Sequence, residues 1–144
     1  MRFTHFTCLI GVLLLTNTFG FSFEIEDKKF YKAKESSEIL RVISTTDIAA
    51  FEPIILEFQE EYNYIDIEYV VASSSETMKA IYYENSRFDL VISSAMDLQT
   101  KLANDGFALR YKSVETEKLP KWTQWRNQVF GFTQEPAVMV ISKK

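Results

Sequence analysis

The sequence has 144 residues, enough for one domain with a core of modest size. Its composition is 47% hydrophobic and 25% charged with 4 glycines and 3 prolines, which excludes collagen-like, low-complexity and strongly disordered chains. The net charge is −4 and the 16 basic residues are scattered, so no nucleic-acid partner is indicated.

The first 22 residues have the three-part layout of a secretory signal peptide. Arg2 gives a positive start, residues 6–15 form an apolar run, and residues 16–22 are mostly small or polar. Small residues permit cleavage after Gly20 or after Ser22. We therefore expect residues 1–22 to be a signal peptide that exports the protein to the periplasm. An N-terminal core helix or a membrane anchor is the alternative interpretation.

Both His5 and Cys8, the only histidine and the only cysteine, lie inside this predicted signal peptide. The mature chain would then have no disulfide, no thiol nucleophile and no histidine base, and most zinc chemistry would be lost. We therefore predict that the protein is not an enzyme, has no cofactor and holds no metal.

Residues 23–37 are charged and lack periodicity, which predicts a solvated leader. Residues 38–44 form an apolar run typical of a strand covered on both faces. Residues 47–62 repeat apolar side chains at steps of three and four, as a helix does. Pro53 belongs in a first helical turn, so the regular helix is expected to begin near Phe51.

The alternation of strands and helices continues to Gly106. Residues 65–71 alternate in polarity, which predicts a half-exposed edge strand, and residues 89–93 form a second buried strand. Helices are predicted over 74–84, with Met78, Ile81 and Tyr82 facing inward, and over 95–105. Gly106 is a typical left-handed helix stop.

The β-α-β-α-β-α order predicts an α/β fold in which helices cover both faces of an open, mostly parallel sheet. Two buried strands and one exposed strand favour the spatial order 2-1-3. Residues 107–111, 129–133 and 137–142 are further candidate strands.

Hydroxyl groups are concentrated at all three junctions between a strand and the following helix. Because the carboxyl ends of parallel strands share one edge of the sheet, these junctions are expected to form one ligand site. Helix N-termini attract anions, so the site would bind an oxyanion without a charged side chain. The candidate ligand-binding residues are Thr45, Thr46, Ser73, Ser74, Ser75, Ser93 and Ser94.

Helix capping is the alternative role for each of these hydroxyls. Ser73 with Glu76 fits the S-x-x-E capping box. Asp47, Glu76 and Asp97 favour helix N-termini but would repel an anion if they faced the site.

Two stretches resemble the N-terminal lobe of family 1 extracellular solute-binding proteins of ABC transporters. The first, RVISTTDIAAFEPIILEFQEEYNYIDIEYV, is similar to the opening strand, hydroxyl-rich turn, helix and second strand of that family. The second, FDLVISSAMDLQTKLANDGFAL, is similar to its third strand and helix, and GFTQEPAVMVISKK resembles its first crossover. Within the family, the ferric-iron-type and phosphoglycerate transport regulatory subgroups are the most similar.

The resemblance implies a periplasmic-binding-protein-like lobe (type II) over residues 38–144 that closes with a second lobe around a solute. By position, the seven hydroxyl residues match the contacts of the first lobe. The second lobe and its iron-binding tyrosines have no counterpart here, so we expect a truncated form and infer no iron.

The resulting hypothesis is a periplasmic solute-binding component of an ABC-type uptake or transport-regulatory system. Its solute would be a small oxyanion such as a phosphorylated or carboxylated metabolite, and its partner an ABC permease or a sensor kinase in the inner membrane. The alternative is a secreted α/β interaction module, or a sensor-kinase accessory protein, without a small ligand of its own.

Overall fold

The computed structural model describes residues 22–84, 86–134 and 139. Except for Ser22 and Met139, the predicted signal peptide and the candidate strand 137–142 lie outside the described residues.

A four-stranded sheet forms the centre of the fold. Its strands are β1 (Asp27–Tyr31), β2 (Glu38–Ser44), β3 (Ile65–Val71) and β4 (Leu90–Ile92), in the spatial order β1-β3-β2-β4. The parallel strands β3, β2 and β4 have the predicted order 2-1-3. The addition of β1, which runs antiparallel to β3, makes the sheet mixed and removes β3 from its edge. The prediction of an edge position for β3 is therefore wrong.

The strand β1 also corrects the prediction of a solvated leader over 23–37. Residues 27–30 are exposed, as their charge predicts, yet their backbone pairs with β3. Tyr31 and Ala33 are buried, and the Ala33 N–H donates to Asp66 Oδ1 at 2.7 Å. Backbone hydrogen bonds and the buried ring of Tyr31 fix this strand in the sheet. Its sequence therefore has no hydrophobic pattern from which the strand could be predicted.

Helices cover the two faces of the sheet, as predicted. The helices are α1 (Ile48–Glu61), α2 (Ser74–Tyr82), α3 (Met96–Asn104) and the short α4 (Val114–Lys118). On one face, Val42 and Tyr69 pack with Ile55 of α1; on the other, Ile43 and Val70 pack with Ala80 of α2. Alternate residues of one strand thus supply two separate cores.

Helix α1 begins at Ile48, three residues before the predicted start at Phe51, and Pro53 lies inside it. In α2 the buried residues are Thr77 and Ala80, while the predicted inward residues Met78, Ile81 and Tyr82 are half-buried.

Helix α3 ends as predicted. Gly106 has φ of +90°, and the Phe107 N–H donates to the Leu102 carbonyl at 3.0 Å. Together with the bond from the Gly106 N–H to the Ala103 carbonyl, this forms a Schellman motif.

After Gly106 the chain forms less regular structure than predicted. Residues 107–111 are not a strand, and the candidate strand 129–133 reduces to β6 (Val129–Phe130), which pairs with β5 (Gln124–Trp125). Both Arg126 and Asn127 have positive φ at the tip of this hairpin. A 3-10 turn, Lys121–Thr123, precedes it.

Candidate functional site

The first and third hydroxyl-rich junctions meet at the carboxyl edge of the sheet. Strands β2 and β4 are neighbours, with Ser44 opposite Ile92. The Thr45 N–H donates to the Ile92 carbonyl at 3.0 Å and ties the two junctions together. The parallel pairing of β2 and β4 therefore places residues 45–46 beside residues 93–94.

A pocket of about 250 Å³ opens at this meeting point. Four of its lining residues have a side-chain hydroxyl, namely Thr46, Ser93, Ser94 and Thr133. The other four are apolar, namely Phe51, Ile54, Ile92 and Phe132. The pocket lining thus combines hydrogen-bonding groups with apolar side chains.

Capping and ligand binding are compatible at Ser93. Its Oγ accepts a hydrogen bond from the Ala95 N–H at 3.1 Å, which holds the turn before α3. A hydroxyl accepts through its lone pairs and still has one proton to donate. Ser93 can therefore stabilise its own turn and donate to an acceptor in the pocket at the same time.

Ser44 performs a similar structural task at the first junction. Its Oγ accepts from the Thr46 N–H at 2.9 Å, and its side chain is fully buried. It shapes the loop that presents Thr46 but does not line the pocket.

Tyr69 contacts two residues that line the pocket, Thr46 and Phe51. Its hydroxyl donates to the Thr46 carbonyl at 3.0 Å, and its ring stacks on Phe51 with centroids 5.5 Å apart and planes at 18°. Burial raises the pKa of Tyr69, so its hydroxyl stays protonated and keeps donating near neutral pH. One buried side chain therefore fixes a polar and an apolar part of the site.

The second junction is not part of this pocket. Ser73 Oγ accepts from the Glu76 N–H at 3.3 Å and lies 3.0 Å from Ser75 Oγ, so these hydroxyls cap α2 and pair with each other. Glu76 does not complete a capping box, because its carboxylate accepts from the Glu24 N–H instead. A ligand role for Ser73, Ser74, Ser75 and Thr45, which are not among the lining residues, stays a prediction.

Among the residues that the structure describes, no charged side chain lines the pocket. Each of its two loops leads into the first turn of a helix, α1 after Thr46 and α3 after Ser94, where the helix dipole is positive. Asp47 and Asp97 lie at those same helix starts and oppose an anion. Electrostatic attraction to an anion therefore has to come from amide and hydroxyl dipoles.

Several residues of the pocket were not predicted from the sequence. The helical period of residues 47–62 places Phe51 on the apolar face of α1, and no sequence pattern marks Ile54, Ile92, Phe132 or Thr133 as ligand contacts. Nothing in the sequence indicates that the segment after β6 approaches α1, since that contact depends on the course of a hairpin. The aromatic residues Trp122 and Trp125, in the segment that precedes β6, do not line this pocket.

A second depression of about 240 Å³ lies at the opposite end of the sheet. It includes Ser36 and Asp66, whose carboxylate accepts from the Ser36 hydroxyl at 2.6 Å and from the Ala33 N–H. These two bonds, the Ser36 bond foremost, lower the pKa of Asp66. The carboxylate thereby secures the connection between β1 and β2.

Two further features, a metal-binding cluster and a membrane-spanning helix, are absent from the part of the chain that the structure describes. Residues 22–84, 86–134 and 139 contain no group of three or more His, Cys, Asp or Glu side chains placed to hold a metal ion. Their helices are all too short or too polar to cross a membrane.

The chain is similar in structure to a known protein. The chain matches the crystal structure of the substrate-binding protein of an ABC transporter from Agrobacterium tumefaciens, with a TM-score of 0.66 and 32% sequence identity. The match covers 70% of this chain and 32% of that protein, so the chain spans about a third of its length. The chain has the fold of a binding-protein-like lobe. No protein-family model matches the sequence, and no curated protein is significantly similar to it.

Proposed function

We propose that this chain is the N-terminal part of a periplasmic solute-binding protein of an ABC-type uptake or transport-regulatory system. The observation that carries the proposal is the pocket at the carboxyl edge of the sheet, where Thr46, Ser93 and Ser94 converge in a lobe similar to an ABC substrate-binding protein. Open α/β sheets bind ligands at this edge, where the strand order reverses. The neighbouring structure is a binding protein and not an enzyme.

The proposed solute is a small oxyanion such as a phosphorylated or carboxylated metabolite. Support comes from two adjacent helix starts and from hydroxyl protons that remain available at Ser93 and Ser94. Such donors can bind an anion without a positively charged side chain, because the backbone and hydroxyl dipoles together stabilise the negative charge. A second lobe would be needed to bury the solute, since ligand sites usually enclose most of the ligand surface.

The proposed partner is an ABC permease or a sensor kinase in the inner membrane. This part rests on the neighbouring protein and on the predicted signal peptide, whose residues lie outside the described part of the chain. N-terminal sequencing of protein recovered from the periplasm tests the predicted signal peptide, and an intact Met1 would contradict it. The similarity to a binding protein favours this function over an interaction module without a small ligand.

Binding is tested by nuclear magnetic resonance titration of the purified chain with phosphate, 3-phosphoglycerate and citrate at constant ionic strength, with glucose as the neutral probe. We expect an anion to shift the amide signals of Thr46, Ser93 and Ser94 first. Shifts confined to other residues, or none with any anion, would contradict the proposal.

Ser94→Ala separates binding from capping. No hydrogen bond of the Ser94 hydroxyl to protein is found among the described residues, so its loss should leave stability unchanged and weaken anion binding about two- to tenfold. Ser37→Ala is the matched control, because Ser37 is exposed at the opposite end of the sheet and its hydroxyl likewise has no hydrogen bond among the described residues. Equal affinity in the Ser94 variant and the wild type would leave Ser94 without a ligand role.

A further inference from the structure

The pocket lining combines two chemistries that come from different elements. The strand-to-helix loops contribute the hydroxyls of Thr46, Ser93 and Ser94. Helix α1 and the segment after β6 contribute Phe51, Ile54 and Phe132, which we call the apolar wall. A hydrophilic anion such as phosphate can use the hydroxyls but gains no hydrogen bond from the apolar wall.

The apolar wall leaves a large part of its surface in water. The side chain of Phe132 is 63% exposed and that of Ile54 is 52% exposed, although both line the pocket. Exposed apolar surface in a concave site gains free energy when a ligand covers it. Phe51 is preorganised for this contact because its ring is fixed by the stack on Tyr69.

The volume sets the size of the part of the ligand that this lobe contacts. About 250 Å³ is smaller than the range of roughly 300–1,000 Å³ typical of sites for drug-sized molecules. It suits a single ring or a short branched chain that carries one anionic group.

We propose that the solute is an amphipathic anion, an aryl or branched-alkyl carboxylate or phosphate. Its anionic end would lie against Thr46, Ser93 and Ser94, and its apolar body against Phe51, Ile54 and Phe132. This inference rests on the proposed function and narrows the class of solute that the same pocket takes.

The test compares inorganic phosphate, phenyl phosphate and benzyl alcohol by titration of the full chain at constant ionic strength. If the apolar side chains cover one face of the aryl ring, the buried apolar area should make phenyl phosphate bind about tenfold more tightly than phosphate. Benzyl alcohol has the ring without the charge and should bind more weakly than phenyl phosphate. Acetate and benzoate form the corresponding carboxylate pair and should show the same order.

The Phe132→Ala variant tests whether the apolar wall contacts the aryl ring of the ligand. We expect it to abolish the tenfold advantage of phenyl phosphate and to leave the affinity for phosphate unchanged. Trp122→Ala is the matched control, since Trp122 is an exposed aromatic residue that does not line the pocket. Because both side chains are exposed, neither variant should unfold the protein.

The outcomes separate the two proposals. If phosphate shifts the amides of Thr46, Ser93 and Ser94 but phenyl phosphate binds no better, the amphipathic class is wrong and the oxyanion function stands. If Phe132→Ala keeps the aryl advantage, the apolar wall is not the recognition element and the inference is overturned. If no anion binds, or benzyl alcohol binds as tightly as phenyl phosphate, both proposals fail.

Discussion

Tyr69 shows how one buried residue links the core to the candidate site. Its ring belongs to the core cluster with Val42 and Ile55, and it also stacks on Phe51. Its hydroxyl reaches the Thr46 carbonyl, which would otherwise lack this partner in a loop that must hold its shape. A tyrosine at this position therefore contributes both packing and a hydrogen bond.

Tyr69→Phe is predicted to keep the stack and lose the hydrogen bond. We expect the free energy of unfolding to fall by about 1 kcal/mol, because the Thr46 carbonyl loses a donor at the edge of the core. Anion binding should weaken as well, since the Thr46 loop is less fixed. Urea unfolding and the same titration measure the two effects. Tyr64→Phe, at an exposed position, is the control and should change neither.

At the scale of elements, the end of α3 depends on one glycine. Gly106 has φ of +90°, and a Cβ added there would meet no atom within 4 Å. Replacement by alanine therefore costs conformational energy only, about 1 kcal/mol for a left-handed residue with a side chain. We expect Gly106→Ala to lower stability by this amount in urea unfolding and Gly106→Asn to recover part of it.

Gly131→Ala is the control for this prediction. Gly131 does not have a positive φ, and its added Cβ would meet Thr123 at ordinary van der Waals distances of 3.5 Å and more. It should therefore change stability little. An unchanged stability of Gly106→Ala would show that the Schellman motif is not needed to end α3.

Helix α2 is tied to the N-terminal segment through ionisable groups. The Glu76 carboxylate accepts from the Glu24 N–H at 2.8 Å, and Lys79 Nζ donates to the Ser22 carbonyl at 2.9 Å. The Glu24 N–H, more than the nearby Lys79, lowers the pKa of Glu76 below its ordinary value of 4.5. The carboxylate form is therefore the one that the folded protein prefers.

The sign of the pH effect follows from this lowered pKa. A carboxylate with a lowered folded-state pKa stabilises the fold above its ordinary value, and the contribution disappears as pH falls through the folded value. We expect Glu76→Gln to lower the melting temperature at pH 7, and the difference from the wild type to shrink as pH falls below 4.5 towards the lowered pKa of Glu76. A difference that persists at low pH would show that Glu76 acts through packing.

The elements that the sequence predicts are those whose signal is local. The apolar runs of β2 and β4, the helical period of α1 and the stop at Gly106 all depend on neighbouring residues in the chain. Thr46, Ser93 and Ser94 could be predicted as a group because parallel strands bring their carboxyl ends to one edge.

The remaining parts depend on contacts between distant segments. Strand β1 has four exposed residues and is held by backbone bonds to β3, so its sequence carries no strand pattern. Phe132 reaches the pocket because the chain reverses at Arg126 and Asn127, two residues with positive φ where no glycine marks the turn. Neither arrangement has a periodic or compositional signature.

At the scale of the whole molecule, β4 ends the sheet as far as the described residues form it. Among the residues that the structure describes, β2 pairs with one side of β4 and no strand pairs with the other. Leu90 in this strand is 45% exposed. A row of unpaired backbone groups beside an apolar side chain favours pairing with another chain.

We therefore expect the chain to self-associate as its concentration rises, and Leu90→Lys to shift it towards the monomer, because a charge at the edge opposes strand addition. Sedimentation velocity over a series of concentrations measures this equilibrium. Leu56→Lys is the matched control: Leu56 is 50% exposed but lies on α1, whose backbone groups are bonded within the helix. If both lysine variants dissociate the protein equally, general surface charge is responsible and not the edge of β4. A monomer at every concentration would show that the three-residue edge is too short to recruit a partner strand.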